Sequence, residues 1–305
     1  MRIAVPDIIS PSYFPAEAAV VLGCFAEQGI QAEVELISPV EKAYAALRDG
    51  EIEIVAGSAH SALSAFPRWQ GVKLLCAQSQ GMYWFLVMRA DIGASRGDVS
   101  CVKGRKIGAA PWVGMGLRRL LIEAGVDPER DDVAIAPIPG SLAPGVNFGV
   151  AATRALEQRI VDGFWANGMG AEIAVRSGIG TLVLDVRRGD GPRAAFNYTM
   201  PTLAATDAFI AQRPQEAAAS VRAIVEAQQI LKRDVARSLE VGRRLFPDEA
   251  DHIVELVRRD LPFYSAGLSE DFIAGMNLFA RDIGILDVDV AYSAVVAEQF
   301  RDEWK

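Results

Sequence analysis

Two stretches of this chain repeat one plan, and that repeat limits the folds open to it. Residues 43–63, AYAALRDGEIEIVAGSAHSAL, place an apolar helical stripe (Ala43, Ala46, Leu47) before Gly50, then a short alternating run, Ile52-Glu53-Ile54-Val55. The run leads into Gly57-Ser58-Ala59-His60-Ser61, whose small residues suit a tight turn and whose serines suit a helix N-cap. In an α/β protein, a strand followed by a glycine turn and a capped helix start leaves backbone N–H groups at the carboxyl edge of a sheet, where ligands bind. Residues 152–170, ATRALEQRIVDGFWANGMG, carry a weaker copy. There Ala155-Leu156 matches Ala46-Leu47, and Val161-Asp162 matches Ile52-Glu53.

The flanks repeat too. Lys106-Ile107-Gly108-Ala109-Ala110-Pro111 resembles Arg2-Ile3-Ala4-Val5-Pro6, and Glu123-Ala124-Gly125-Val126 echoes Glu27-Gln28-Gly29-Ile30. A duplicated βαβαβ unit predicts two α/β lobes. Alternation and apolar runs predict strands over 2–5, 32–37, 52–55, 72–77 and 84–89, then 106–110, 133–138, 160–165 and 181–186. Helices are expected from Ser12 or Pro15 to Glu27, from Val40, over 116–124 and over 151–158. Residues 197–205 read as an extended second passage between lobes. Beyond Asp207, apolar spacing of three and four predicts helices over 215–232, 238–246, 250–260, 270–283 and 291–304, punctuated by Pro214, Pro247, Pro262 and Gly267. A helical tail after the second crossing is expected to pack on the first lobe. Lobe one is then discontinuous, 1–88 plus 200–305, and lobe two is 89–199.

Composition narrows the partners. The 305 residues are 51% hydrophobic and 23% charged, enough for two cores, and the net charge is −8. No Lys/Arg cluster exceeds pairs such as Arg118-Arg119, which argues against nucleic acid or an anionic membrane surface. Cys24, Cys76 and Cys101 have no CxxC spacing and read as small buried hydrophobes. His60 and His252 are the only histidines, and without HExxH or clustered Cys/His neither a metal nor any other cofactor is expected. No apolar run approaches the ~20 residues of a membrane span, so no membrane insertion is expected. Met1-Arg2 leads straight into a strand with no apolar leader. The expected compartment is the periplasm if an export signal has been removed ahead of Met1, and the cytoplasm if Met1 is the native start.

Taken in order, the strand-loop-Tyr-Phe start, FAEQGIQAEVELI, AALRDGEIEIVAG and KIGAAP resemble the substrate-binding proteins of the sulfonate, nitrate, taurine and thiamine-precursor ABC importers. AALRDGEIEIVAG is the most specific block. The resemblance implies a type II periplasmic-binding fold: α/β, two lobes joined by two extended crossings, with a ligand clamped in a cleft by hinge bending. It also implies a small-molecule ligand and an ABC permease as partners. Cytoplasmic enzymes share the fold, among them a pyrimidine synthase of fungal thiamine synthesis and certain aromatic-acid decarboxylases, as would a cytoplasmic ligand sensor. The chain lacks a cysteine-rich, iron-binding motif like that of the synthase. His60 would be the acid/base of an enzyme reading.

Ligand contacts in such a fold come from loops at the carboxyl ends of strands. Five loops qualify: 10–14, 57–61, 78–84, 111–116 and 165–170. They supply Ser10, Ser12, Gly57, Ser58, His60 and Gln80 as polar or backbone contacts. Tyr13, Phe14, Tyr83, Trp84, Trp112 and Trp165 form an aromatic concentration suited to stacking on a planar ligand, although each ring alone also fits a lobe core. Gly114-Met115-Gly116 is read as a place where backbone approaches the ligand, since Arg119 occupies the third glycine position of a dinucleotide loop. Asn167 and Asn197 are candidate amide contacts, and Glu17 or Glu172 faces either a cationic group or solvent. No cationic side chain falls inside the five loops, so an anion would rely on N–H groups and hydroxyls. A planar organic ligand follows: an aromatic, a pyrimidine-like compound or an organic acid.

Overall fold

The computed structural model describes residues 1–143 and 145–305. They form two compact units, Met1–Gly81 with Thr199–Lys305, and Met82–Tyr198.

The first unit begins with β1 (Arg2–Val5), α1 (Phe14–Val21), α2 (Cys24–Glu27), β2 (Glu33–Leu36), α3 (Val40–Arg48), β3 (Ile54–Ser58) and β4 (Val72–Ala77). The single helix expected to run to Glu27 is broken at Gly23, which takes a left-handed φ of 85°. Helix α3 buries Val40, Ala43, Tyr44 and Leu47, a stripe one helix face wide. It ends where Gly50 adopts φ 74° and the Glu51 N–H bonds Ala46 O, a glycine-terminated helix end.

The second unit follows: β5 (Phe85–Arg89), β6 (Lys106–Gly108), α4 (Pro111–Glu123), β7 (Ala134–Ala136), α5 (Phe148–Glu157), β8 (Gly163–Ala166), α6 (Gly168–Arg176) and β9 (Gly180–Asp185). Its sheet runs β7-β6-β8-β5-β9, with β5 antiparallel to both neighbours. Because β5 pairs here, residues 82–88 belong to this unit and not, as expected, to the first, while Thr199 belongs to the first and not, as expected, to the second. The chain then returns to the first unit with β10 (Pro201–Thr206), α7 (Asp207–Gln212), α8 (Pro214–Arg233), α9 (Arg237–Leu245), α10 (Ala250–Asp260), α11 (Glu270–Asp282) and α12 (Tyr292–Val295). Helix α8 packs on α1, α2 and β4, so the tail does cover the first unit's sheet.

The first sheet runs β2-β1-β3-β10-β4, with β10 antiparallel to β3 and β4. Strand for strand this is the order of the second sheet, with β10 in the place of β5. The duplication therefore extends to register and side chains. Glu53 Oε2 accepts the Arg2 N–H at 2.6 Å, and Asp162 Oδ2 accepts the Lys106 N–H at 3.0 Å. The backbones close the same corner, Glu53 N–H to Arg2 O and Asp162 N–H to Lys106 O. The acidic residue just ahead of β3 and of β8 thus fastens its strand to the neighbouring one.

The helix expected over 291–304 does not form. After α12 the chain leaves the helix, Val296 bridges Leu74 and the Ala297 N–H bonds Leu74 O. A 3-10 helix (Glu298–Trp304) follows, and Trp304 Nε1 donates to Leu75 O. The tail instead covers β4, an edge strand whose open backbone would otherwise be a pairing hazard. Among the described residues, no helix is long and apolar enough to cross a membrane.

Candidate functional site

In each unit the parallel strands end at one edge, and the loops there carry the candidate residues. At the first unit's edge the loop after β1 is fixed by the tail. Tyr264 Oη donates to Pro11 O at 2.6 Å, Ser12 Oγ bonds Asp260 Oδ2 at 3.3 Å, and the Tyr13 N–H turns back to Ser10 O. Ser10, Ser12 and Tyr13 are buried. Phe14 is core: it opens α1 and meets the Phe246 ring edge-on at 6.5 Å.

The expected N–H cradle at Gly57-Ser58-His60 is occupied by the protein itself. Gly57 and Ser58 lie within β3, paired to Thr202 and Pro201 of β10. A Cβ on Gly57 would meet Val55, Val40 and Tyr44, so this glycine serves the packing of α3. The helix after β3 is a 3-10 helix (Ala59–Ser64), and the Ala59 N–H is used by Met200 O. Ser58 makes no cap; its Oγ shares a 2.6 Å bond with Ser61 Oγ. His60 is buried, with Nδ1 2.9 Å from Thr199 Oγ1 and its ring edge-on to Phe279. Gln80 reaches the tail, donating to Ser265 O and Gly267 O. The missed signal was β10, which arrives from far along the chain and consumes the free edge of β3.

One group at this edge has no such partners. Glu17, in the first turn of α1, is 0% exposed, and neither carboxylate oxygen meets a hydrogen-bond partner among the described residues. Burial, reinforced by the negative charge of Asp7, holds its carboxyl well above the ordinary range for glutamate, so the acid form is favoured. Ser10 Oγ is likewise buried without a partner.

At the second unit's edge the aromatic residues assemble. Leu86 pairs with Trp165, so Trp84, Leu86 and Trp165 share one face of the sheet. Phe85, Val87, Phe164 and Ala166 face the other way, into the core under α5 and α6. Tyr83 and Trp84 have ring centroids 4.9 Å apart, and Trp84 meets Trp165 near edge-on at 6.4 Å. Trp165 is 0% exposed and its indole Nε1–H has no acceptor among the described residues. Arg187 lies in the 3-10 turn after β9, 6% exposed, with its guanidinium carbon 5.6 Å from the Tyr83 ring centroid. This cation lies outside the five expected loops, in the turn that follows the strand expected over 181–186.

Other candidates here serve the scaffold. A Cβ on Gly116 would sit 3.3 Å from Met82 Sδ and 3.4 Å from the Trp84 ring, and one on Gly114 would touch Ala109 and Ile135 at 3.4 Å. Those glycines admit side chains beneath α4, not a ligand. Trp112 and Met115 on α4 are half-buried. Asn167 caps α6, its Oδ1 accepting from the N–H groups of Met169 and Gly170. Asn197 is half-buried at the end of a 3-10 helix (Arg193–Asn197), not in an extended crossing. Among the described residues, no group of three or more His, Cys, Asp or Glu is placed to hold a metal ion.

No family model matches the chain, and no curated protein is similar to it. Solved structures are. A protein from Bordetella bronchiseptica RB50 superposes with a TM-score of 0.74 at 19% identity, over 99% of this chain and 95% of that one. The alkanesulfonate-binding protein SsuA from Xanthomonas axonopodis pv. citri, bound to MOPS, gives 0.69 at 15% identity, over 97% of each. DSZB in complex with biphenyl-2-sulfinic acid gives 0.69 at 16% identity, over 99% of this chain and 97% of that one. At these identities the likeness shows the fold, which is that of the periplasmic binding proteins.

Proposed function

We propose that this chain is a solute-binding protein of an ABC-type importer and that its ligand is a small planar organic molecule. The observation that carries this reading is the cluster of neighbouring rings Tyr83, Trp84 and Trp165, gathered where β5 begins and β8 ends. Flat rings in this arrangement stack on a planar ligand, and the unused Trp165 Nε1–H offers it a hydrogen bond. Arg187 over Tyr83 adds a cation that suits an acid group on such a ligand. Two proteins of this fold hold small sulfur-containing organic acids, MOPS in SsuA and biphenyl-2-sulfinic acid in DSZB, which supports the same class of cargo here. The periplasm as compartment, a permease as partner and closure of the lobes on the ligand belong to the same proposal.

Native mass spectrometry of the purified protein should find a co-purified small molecule, and a thermal-shift panel of aromatic acids and heterocycles should raise Tm for a subset. A clean apo mass together with no shift across the panel refutes the reading. Small-angle scattering should show a smaller radius of gyration with a panel hit than without it.

A further inference from the structure

Among the described residues, Glu17 is a buried carboxyl with neither oxygen hydrogen-bonded. A carboxyl taken out of water without a hydrogen bond is costly, and buried polar groups in folded proteins are otherwise almost always satisfied. Glu17 is 0% exposed with both oxygens unpartnered, and Ser10 Oγ, on the loop leading into the same helix, is also buried and unpartnered. The loop between them is held in place: Tyr264 bonds Pro11 O, and Ser12 bonds Asp260. Neither orphan therefore arises from a loose segment. Both stand where the chain passes from the carboxyl end of β1 into the eight-residue helix α1. Asp7, on the same loop, adds negative charge, which repels an anion and attracts a hydrogen-bond donor or a cation.

We infer that Glu17, with Ser10 beside it in the chain, is the recognition site for an amino or amidino group carried by the ligand. This rests on the reading of the chain as a solute-binding protein and adds the polarity of the group the first unit selects. The planar amidinium presents two N–H donors at the spacing of a carboxylate's two oxygens, so one ligand group can satisfy both orphan acceptors. Binding then stabilises the carboxylate, and the proton Glu17 held in the empty protein leaves to solvent.

Benzamidine and benzoate test this, being the same size and planarity with opposite charge. Benzamidine is expected to raise the Tm of the wild-type chain, and the shift is expected to fall at least tenfold in apparent affinity in Glu17→Gln. Calorimetry of benzamidine binding in phosphate and in Tris should give different heats in the wild type, because a released proton is taken up by the buffer, and equal heats in the variant, a readout that a purely structural role for Glu17 does not produce. Benzoate shifting Tm while benzamidine is silent overturns the inference and leaves the solute-binding reading standing. Benzamidine binding equally to both chains, without proton release, also overturns it. Silence from both probes and from the wider panel removes the solute-binding reading itself, and this inference with it.

Discussion

Glu17→Gln should stabilise the empty protein, by an amount that grows with pH. The folded chain keeps a proton on Glu17 that the unfolded chain sheds near its ordinary value of 4.5, because burial first and Asp7 second disfavour the carboxylate. Folding therefore takes up a proton above pH 4.5, and rising pH works against it until the folded-state group itself ionises. In that window each pH unit removes about 1.4 kcal/mol of stability. That loss continues for as long as the folded-state carboxyl stays protonated, and a glutamine suffers none of it. Every other titrating group is common to both chains and cancels in the difference. At about 2 °C per kcal/mol for a chain of this length, the Tm advantage of Glu17→Gln should widen by about 3 °C per pH unit above about pH 5 until the folded-state carboxyl ionises. Scanning calorimetry of the two proteins side by side reads it. A difference that stays flat across that range would show that the carboxyl is solvated or paired, and the reasoning about Glu17 would fall with it.

Gly170→Ala should cost roughly 2–3 kcal/mol and lower Tm by several degrees, because its Cβ would lie 2.7 Å from Gly149 O and 2.9 Å from Gly149 Cα, where α5 and α6 touch through backbone. Arg159 holds a left-handed φ of 58° at the position where the first repeat has Gly50. Arg159→Gly should therefore be neutral to about 1 kcal/mol stabilising by urea unfolding, the exposed Arg159–Asp91 pair contributing little against it. Burial pushes the Cys24 and Cys101 thiols up to about 11 and raises fully buried Cys76 as well, so alkylation at pH 8 should be slow at all three in the folded chain and complete in denaturant.

The duplication was legible in the sequence because it is written in local chemistry. Acid-headed strands, glycine helix ends and strand-Pro junctions recur at matching places, and Glu53 with Asp162 shows what the acid does. The aromatic edge was legible as a concentration of rings, and β-strand parity then sorts Trp84 and Trp165 from Phe85 and Phe164. What the sequence hid depends on distant partners. Gly57-Ser58-Ala59 looks like an open turn until β10 is laid beside it, and Phe14 looks like a loop aromatic until Phe246 meets it. Helix α6 was missed because Gly168-Met169-Gly170 has poor helix propensity; the Asn167 cap and the Gly149–Gly170 approach outweigh that. Arg187 is hidden in the same way, because only the pairing of β9 with β5 brings the turn that carries it to the Tyr83 ring.

The two sheets share one strand order but have arrived at opposite fates for their edges. In the second unit, the antiparallel strand β5 is preceded by Tyr83 and Trp84, and β8 supplies Trp165, so the edge is rich in rings and carries a buried guanidinium. In the first unit the equivalent antiparallel strand, β10, is preceded by Thr199 and Met200, and these engage His60 and the Ala59 N–H directly. The repeat that looked the better ligand cradle in sequence has thus satisfied its own donors, and the weaker copy has kept its large side chains and an unused indole donor. What the first unit retains is a pair of unsatisfied oxygen-bearing side chains one loop away, Ser10 and Glu17. A duplicated scaffold can diverge this way at little cost to stability. The Glu53 and Asp162 fastenings lie at the opposite ends of the parallel strands, so the loops at the carboxyl ends change independently of what holds each sheet together.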